Sequence, residues 1–273
     1  METRAQGGGE GRFAGRTAFV TGGGSGIGLA CARAVAAGGG RVMLAGRRED
    51  VLRAAAAEIG ERAAWVVCDV RDEVSVEAAV ADTVRRLGPL RLAVNAAGTG
   101  AIGSVLNGTT LDFTNTLDTN LVGAYRCLRA EAKAMKAAGG GAVVNVSSIA
   151  GTLTHRWMTA YCVSKAGLDM LTRCAADDLG QHGIRVNAVR PGLVETDLAA
   201  PLTGHPDARA EYLRRMPVSR IGQPDDVGRL VAFLLSDDAA WITGQCVDVE
   251  GGHTLRGGPD LVPLFSQLLP EER

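Results

Sequence analysis

Tyr161 and Lys165 lie in the segment Tyr-Cys-Val-Ser-Lys, which carries the most specific chemistry in the sequence. Residues four positions apart share one face of an α-helix, so a phenol and an ammonium group at this spacing point into one cleft. A free tyrosine titrates at about pH 10, and a nearby cation lowers that pKa because it stabilises the phenolate. The spacing therefore predicts a proton donor and acceptor that works near neutral pH.

A glycine-rich turn, Thr-Gly-Gly-Gly-Ser-Gly-Ile-Gly over residues 21–28, follows the first predicted strand and precedes the first predicted helix. Glycines in this position let the backbone turn tightly and approach a pyrophosphate, whose charge then lies at the helix N-terminus. The turn therefore predicts a dinucleotide site, and its candidate residues are Gly22, Gly24, Ser25, Gly26, Ile27 and Gly28.

The end of the second predicted strand bears on the choice of dinucleotide. A carboxylate there would hydrogen-bond the ribose 2′-hydroxyl of NAD and repel a 2′-phosphate, but the chain has Gly46, Arg47 and Arg48, with no acid before Glu49. A guanidinium group matches the geometry of a phosphate. The sequence therefore favours NADP(H) over NAD(H), and the alternative is that both arginines are solvated residues that open a helix.

Elements of two kinds must position these residues. Continuously apolar runs predict strands covered on both faces, and they alternate with longer stretches of helical composition; the runs are 17–21, 41–45, 64–68, 90–94, 142–146, 184–189 and 245–249. Such alternation requires right-handed crossovers and a parallel sheet. We predict an α/β fold with one Rossmann-type, doubly wound domain of about seven parallel strands and helices on both faces.

Composition excludes several classes of protein. The 273 residues carry a net charge of −1, so no basic field indicates nucleic acid. The six cysteines form no CxxC pair and the four histidines are dispersed, which predicts no metal site and a reducing compartment. No apolar run reaches membrane-spanning length, and residues 1–14 do not resemble a secretory signal. We expect a cytoplasmic protein with a small-molecule substrate and without a membrane partner.

Together these motifs resemble the short-chain dehydrogenase/reductase family over residues 15–252. The spacing TGxxxGxG at the first turn and YxxxK at Tyr161 match its pattern, and Arg47 follows the position where its NAD-preferring members carry aspartate. Its NNAG signature is matched except that alanine replaces the second asparagine, and its PGxxxT segment is also present; the residues are Asn95, Ala96, Ala97, Gly98, Pro191, Gly192, Val194 and Thr196.

The resemblance implies roles for individual residues. Tyr161 is the acid/base, Lys165 lowers its pKa and binds the nicotinamide ribose, and Ser148, thirteen residues before Tyr161, hydrogen-bonds the substrate oxygen. Ser147 would point to the other face of its strand. Asn120 is implied to support a proton relay to the lysine, the alternative being a plain polar surface position.

Further cofactor contacts follow from the same resemblance. Asp69 and Val70 are implied to contact the adenine, although Asp69 would also suit the start of a helix. Val194 and Thr196 are implied to lie near the nicotinamide carboxamide.

The predicted reaction interconverts a secondary alcohol and a ketone. Its substrate pocket is expected from Thr99 and Gly100, residues 149–151 and 155–158, Leu193, and a lid at 198–216. Trp157 and Met158 favour a lipophilic or cyclic substrate, whereas Arg156 would suit a 3-oxoacyl thioester of acyl carrier protein or CoA. The same motifs would also fit NAD-dependent alcohol oxidation, or a binding protein that keeps the fold without catalysis.

The remaining expectations concern the termini and assembly. Residues 1–14 are predicted to be a flexible extension, 15–252 the catalytic domain, and 253–273 an apolar tail that docks on the subunit or on a neighbour. The family resemblance implies a homotetramer, with a dimer as the alternative, that packs through helices at 110–138 and 160–181.

Overall fold

The computed structural model describes residues 11–258 and 260–262, and these contain a parallel sheet in the order β3-β2-β1-β4-β5-β6-β7. Its strands are β1 (Thr17–Thr21), β2 (Arg41–Gly46), β3 (Ala63–Val67), β4 (Leu90–Asn95), β5 (Gly141–Val146), β6 (Ile184–Pro191) and β7 (Cys246–Val249). Every predicted strand is confirmed, with ends that agree to within two residues. The predicted doubly wound α/β fold is therefore correct.

Helices cover both faces of this sheet. They are α1 (Gly26–Ala37), α2 (Glu49–Ile59), α3 (Glu73–Leu87), α4 (Thr110–Leu117), α5 (Gly123–Ala137), α6 (Thr159–Gly180), α7 (Ala200–Thr203), α8 (Pro206–Arg215) and α9 (Pro224–Leu235). A π-helical turn, Asp118–Val122, joins α4 to α5.

Alternate strand residues enter two apolar cores, one on each face. Val20 and Val144 pack on the side of α1 and α9, while Phe19 and Val143 pack on the side of α3 and α5. Because both faces are buried, the strands have the continuous apolar character by which they were predicted.

The sheet reverses its winding direction at β1, which pairs with β2 on one side and with β4 on the other. In open α/β sheets, ligands bind in the crevice that forms outside the carboxyl ends of the strands at such a point. The glycine turn after β1 and the segment after β4 both lie at this crevice. The topology therefore places the predicted cofactor residues together.

The ordered packing extends beyond the predicted N-terminal boundary of the domain. Phe13 is buried, and its backbone N–H donates to the carbonyl of Gly38 at 2.7 Å. At the other end His253 is buried, whereas Leu261 and Val262 are exposed. Residues 1–10 of the predicted extension and residues 263–273 of the predicted tail lie outside the described part of the chain.

Among the helices of the described part, none is long and apolar enough to cross a membrane.

Candidate active site

A cleft of about 300 Å³ opens at the carboxyl edge of the sheet. It brings together residues that are far apart in sequence and were predicted to bind a dinucleotide: Gly22, Gly24, Ser25, Gly26, Ile27, Gly28, Arg47, Arg48, Asp69, Val70, Ala96, Ala97, Gly98, Tyr161, Lys165 and Thr196. The predicted catalytic Tyr161 and Lys165 thus share one cleft with the glycine turn.

Four residues predicted to contact the cofactor do not line this cleft: Asn95, Pro191, Gly192 and Val194. The Asn95 side chain is buried and its Nδ2 donates to Glu131 Oε2 at 3.0 Å and to Asn145 Oδ1 at 3.1 Å. Its side chain therefore links β4 to β5 and α5, and the predicted cofactor contact of this segment would be made by its backbone. Gly192 donates its N–H to Val249, and Val194 forms a bridge with Gly222, so both continue the sheet edge.

The glycine turn is shaped by close backbone contacts. Gly22 has a φ of +64°, and a Cβ there would lie 2.9 Å from the carbonyl carbon of Ala96. A Cβ on Gly28 would lie 2.3 Å from the carbonyl oxygen of Gly22, so only glycine lets α1 start this close to the turn. The result is a side-chain-free cradle at a helix N-terminus, which fits the pyrophosphate of a dinucleotide.

Thr21 holds the two halves of this cradle together, and sequence reasoning had missed it. Its Oγ1 accepts hydrogen bonds from the backbone N–H groups of Ala96 at 3.1 Å and Ala97 at 3.2 Å. The opposite wall is Thr196, whose Cγ2 would lie 3.1 Å from a Cβ on Gly26. The segment after β6 therefore lies directly against the turn after β1.

Arginines dominate the outer end of the cleft. Arg47 and Arg48 are exposed; Arg48 immediately precedes α2, and its Nη2 donates to Ser25 Oγ at 3.4 Å. Arg71, which was not predicted, lines the same end and binds Asp69 with an Nη2–Oδ2 distance of 2.7 Å. That hydrogen bond is the main reason why the pKa of Asp69 falls to about 2. Arg71 therefore neutralises the Asp69 carboxylate, and Arg47 and Arg48 add two further positive charges at this end of the cleft.

Tyr161 and Ser148 meet at the inner end of the cleft. The Ser148 hydroxyl accepts from the N–H of Ala150 at 3.1 Å, and it lies close enough to the Tyr161 phenol to lower the pKa of that group. Ser147 turns away, as predicted, and donates to the carbonyl of Lys165 at 3.3 Å. Of the two serines, only Ser148 is directed at the tyrosine.

Burial works against ionisation of both members of the Tyr161–Lys165 pair. It raises the pKa of Tyr161, an effect that the Ser148 hydrogen bond opposes, whereas we had expected Lys165 to lower that pKa. Burial also lowers the pKa of Lys165 to about 8, opposed by the charge of Asp169. Lys165 Nζ lies 5.6 Å from the centre of the Tyr161 ring and donates to the carbonyl of Val146 at 2.8 Å. Burial is thus the main influence on the phenol pKa, and the Lys165 ammonium lies beside the ring.

Asn120 is buried rather than on the surface, and both its side-chain oxygen and its side-chain nitrogen form hydrogen bonds. Its Oδ1 accepts from the N–H of Thr99 at 2.8 Å, and its Nδ2 donates to the carbonyl of Thr99 at 2.8 Å and to Ser164 Oγ at 3.0 Å. Ser164 in turn donates to the carbonyl of Tyr161 at 2.7 Å. Asn120 lies in the π-helical turn, and it ties the segment after β4 to the helix that carries Tyr161.

Asp169, one helical turn beyond Lys165, forms a buried ion pair that sequence reasoning did not find. Its Oδ2 lies 2.8 Å from Arg190 Nε, and the side chains are 5% and 10% exposed. A Cβ on Gly151 would lie 2.5 Å from the same carboxylate oxygen, so Gly151 leaves room for the pair. The pair joins α6 to the end of β6 beneath the catalytic residues.

Two loops border the expected substrate side. Trp157 has a φ of +69°, a left-handed conformation that costs of order 1–3 kcal/mol in a bulky residue. Its carbonyl accepts from the N–H of Gly103 at 2.7 Å, which ties the loop before α6 to the loop after β4. Trp157 and Arg156 are exposed at this border.

The predicted lid at 198–216 contains α7 and α8, and apolar contacts attach it to the rest of the fold. Leu202 and Leu213 pack on a small apolar cluster formed by Leu193, Met216 and Ile221. Tyr212, on the inner side of α8, is near enough to Tyr161 to raise its pKa electrostatically. The start of the lid, Leu198, lines the cleft itself.

Comparison with known proteins agrees with this geometry. The family profile described as enoyl-(acyl carrier protein) reductase matches residues 22–254. The galactitol 2-dehydrogenase (L-tagatose-forming) of Cereibacter sphaeroides is 36% identical, covering 89% of this chain and 97% of that protein. The cis-4-hydroxycyclohexanecarboxylate dehydrogenase of Sinomonas cyclohexanicum is 40% identical, with coverages of 89% and 98%.

A solved short-chain type dehydrogenase/reductase from Mycobacterium ulcerans is also similar, with a TM-score of 0.87, 38% identity, and coverages of 94% and 96%. The doubly wound sheet, the dinucleotide cradle and the half-buried Tyr161 in one cleft agree with these relatives. The chain belongs to the short-chain dehydrogenase/reductase family. It is an NAD(P)-dependent oxidoreductase that acts on CH–OH groups.

Proposed function

We propose that the protein interconverts a secondary alcohol and a ketone with NADP(H), and that Tyr161 exchanges the proton with the substrate oxygen. The observation that carries this proposal is that Tyr161 and Lys165 line the same cleft as the glycine turn, with Ser148 close enough to the phenol to lower its pKa. A phenol and a hydroxyl directed at one point match the two contacts that a reacting carbonyl oxygen needs.

Each residue then has a defined task. The bound nicotinamide supplies or accepts the hydride. In reduction Tyr161 gives its proton to the substrate oxygen while the Ser148 hydroxyl donates a hydrogen bond to the same oxygen. Lys165 binds the nicotinamide ribose, and its charge, together with that of an oxidised nicotinamide, favours the phenolate that burial disfavours. Asn120 supports proton resupply through its backbone, since its side-chain amide is already bonded to Thr99 and Ser164.

Replacement of the phenol tests the central role. Tyr161→Phe removes the proton and keeps the ring, so turnover should fall at least about 100-fold, the usual worth of a general acid or base. Cofactor binding, followed by quenching of protein fluorescence, should change little. Retention of more than about a tenth of the wild-type turnover would overturn the assignment. The matched control is Tyr125→Phe, since Tyr125 is exposed on α5.

The preference for NADP(H) follows from the charges at the outer end of the cleft. Gly46 offers no carboxylate to a ribose 2′-hydroxyl, and Arg47 and Arg48 are exposed beside an Asp69 that is already paired with Arg71. A phosphate there would receive charge-assisted hydrogen bonds worth about 1.5–3 kcal/mol each.

Substitution of one arginine tests this preference. Arg47→Ala should lower kcat/KM for NADPH about 10- to 100-fold and leave that for NADH nearly unchanged. Arg53→Ala, an exposed arginine on α2, is the control. An equal loss with both cofactors, or a wild-type preference for NADH, contradicts the proposal and favours an NAD-dependent alcohol dehydrogenase.

Two substrate classes have support. Trp157 and Met158 give apolar surface to the expected substrate side, and one relative is named for the cyclic alcohol cis-4-hydroxycyclohexanecarboxylate, which favours a lipophilic or cyclic secondary alcohol. The galactitol dehydrogenase is named for a linear polyol, which is also a secondary alcohol. The exposed Arg156 favours a 3-oxoacyl thioester instead. The description of the matching family profile also names an acyl-carrier-protein thioester, although one that is reduced at a C=C bond and not at a ketone. A panel of cyclic ketones and 3-oxoacyl thioesters separates the two, since activity only on thioesters would exclude the first.

We also propose a cytoplasmic homotetramer. Exposed apolar residues lie on α4, α5 and α6, the elements expected to pack across a two-fold axis: Leu111, Tyr125, Val163 and Met170. Light scattering during gel filtration tests the assembly, and Tyr125→Glu with Met170→Glu should reduce the measured mass to that of a smaller species. A monomeric wild-type protein would contradict the proposal.

A further inference from the structure

Lys165 carries a buried positive charge that has few direct partners. The residue is 5% exposed, and its Nζ donates one hydrogen bond, to the carbonyl of Val146 at 2.8 Å. An ammonium group can donate three, and this one forms no ion pair with a carboxylate among the described residues. A charge removed from water is costly unless another charge compensates for it. The fold therefore has to supply a counter-charge at longer range than a direct contact.

Asp169 lies one helical turn after Lys165 on the same face of α6. Gly151 packs against both residues, since a Cβ there would lie 2.5 Å from Asp169 Oδ2 and 3.2 Å from the carbonyl oxygen of Lys165. The side chain of Asp169 is 5% exposed, so little water screens its charge. The helix thus places a buried anion beside the buried cation.

The carboxylate of Asp169 is bound through one oxygen only. Its Oδ2 lies 2.8 Å from Arg190 Nε, whereas Oδ1 is buried and has no hydrogen-bond partner among the described residues. Arginine–carboxylate pairs frequently use both oxygens, but here Arg190 Nη1 lies near Asp248 Oδ1 on β7, at 3.5 Å. The Sγ of Cys246, also on β7, donates to the backbone carbonyl of Asp169 at 3.8 Å. The pair with Arg190 therefore leaves one oxygen of the Asp169 carboxylate unpaired.

Charges of alternating sign thus lead from the cleft to β7, in the order Lys165, Asp169, Arg190 and Asp248. On the cleft side, the centre of the Tyr161 ring lies 5.6 Å from Lys165 Nζ. Burial lowers the pKa of Lys165 to about 8, and the charge of Asp169 acts in the opposite direction. Asp169 itself does not line the cleft.

We propose that Asp169, held in place by Arg190, is the counter-charge of the Lys165 ammonium and is thereby a positioning residue for proton transfer at Tyr161. Asp169 acts through Lys165 and contacts neither substrate nor cofactor. The inference rests on the proposed function, in which a charged Lys165 binds the nicotinamide ribose and favours the Tyr161 phenolate. Without Asp169, the lysine would lose its proton at a lower pH.

The composition of the chain allows a direct measurement. It contains three lysines, and the other two, Lys133 and Lys136, are exposed. Lysine labelled with 13C at Cε gives one NMR signal for each, so the titration of Lys165 can be followed in the purified full-length protein without substrate. The signal that is missing from the spectrum of Lys165→Met identifies it.

Two substitutions should move the titration midpoint of Lys165 in opposite directions. Asp169→Asn should lower the midpoint by about one pH unit, because the counter-charge is lost while Arg190 keeps its positive charge. Arg190→Gln should raise the midpoint by a similar amount, because Asp169 then lacks its cationic partner. Asp177→Asn, which replaces an exposed acid on the same helix, is the control and should match the wild type.

The opposite signs separate a counter-charge from a pair that only holds α6 against β6. A purely structural pair would be loosened by either substitution, so midpoints that move in the same direction, or do not move, would overturn the inference. Asp169→Asn combined with Arg190→Gln guards against misfolding, because it removes both buried charges together. In this double variant Lys165 should titrate between the two single variants.

The pH dependence of kcat/KM, measured with NADP+ and the best alcohol found for the wild type, connects the titration to the reaction. The alkaline limb should move to lower pH in Asp169→Asn and to higher pH in Arg190→Gln, since the active form carries a charged Lys165. Midpoints that move while this limb stays in place would overturn the positioning role and would also contradict the role of Lys165 in the proposed function. Unchanged midpoints would overturn the inference and leave the proposed function intact.

Discussion

Glu131 on α5 is a carboxyl group buried completely beneath the sheet, and its replacement by glutamine should change how stability depends on pH. It accepts one hydrogen bond, from Asn95 Nδ2 at 3.0 Å, while its Oε1 and the Oδ1 of Asn95 have no partner among the described residues. Burial raises its pKa from 4.5 to about 8, and the bond from Asn95 offsets only part of the effect. At neutral pH the folded protein therefore keeps this carboxyl protonated.

The direction of the pH effect follows from these two pKa values. Below pH 4.5 the group is protonated in both the folded and the unfolded chain, so it adds no pH dependence. Between pH 4.5 and about 8 the unfolded chain loses the proton while the folded chain keeps it, and the free energy of unfolding decreases as the pH rises. Since each pKa unit corresponds to 1.36 kcal/mol, the whole loss amounts to about 5 kcal/mol.

Glu131→Gln removes the titration and keeps the shape. The new amide can accept from Asn95 Nδ2 and donate to an unpaired oxygen, so the variant should fold. Urea unfolding at pH 5, 6.5 and 8.5, at one protein concentration, should show a wild-type stability that falls with pH by several kcal/mol more than that of the variant. Glu61→Gln, at an exposed turn, is the control and should follow the wild type. Parallel pH curves for wild type and Glu131→Gln would refute the reasoning.

Three further substitutions test the packing described above. Gly28→Ala should abolish dinucleotide binding in a titration followed by fluorescence, because its Cβ would lie 2.3 Å from the Gly22 carbonyl oxygen; binding within twofold of wild type contradicts this. Gly180→Ala should raise the free energy of unfolding by about 0.5–1 kcal/mol, since this residue ends α6 with open space around it, and a loss of stability would be inconsistent with that geometry. Asp169→Asn should lower the stability by about 3 kcal/mol because Arg190 keeps a buried charge without its closest carboxylate, and a change below 1 kcal/mol in urea unfolding argues against a buried pair.

The strands and the placement of Tyr161 and Lys165 in one cleft were accessible from the sequence because both depend on local spacing. Burial on two faces makes a strand such as β1 apolar at every position, and a helix brings Tyr161 and Lys165 to one side whatever surrounds it. The arginines after β2 were recognisable for a similar reason, since the carboxyl ends of parallel strands meet at one edge.

Features that depend on long-range packing were not accessible. The direction of the Asn95 side chain depends on Glu131, which approaches it only when α5 packs under β4. Arg71 reaches the cofactor end of the cleft through its bond to Asp69, and no motif marks it. Desolvation of Tyr161 depends on how the folded chain packs around the phenol, so the sign of its pKa shift required the folded structure.

Helix α6 carries Tyr161, Lys165 and Asp169 at intervals of one helical turn, so they move as a single rigid body. Insertion or deletion of one residue between any two of them would rotate one side chain by about 100° away from the cleft. The number of residues between Tyr161 and Asp169 therefore cannot change without displacing one of these side chains. The loop that ends at Trp157 and the lid at 198–216 lie outside this stretch, so their lengths can change. Changes of substrate would therefore be made in those loops, while the spacing of the candidate proton-transfer centre on α6 stays fixed.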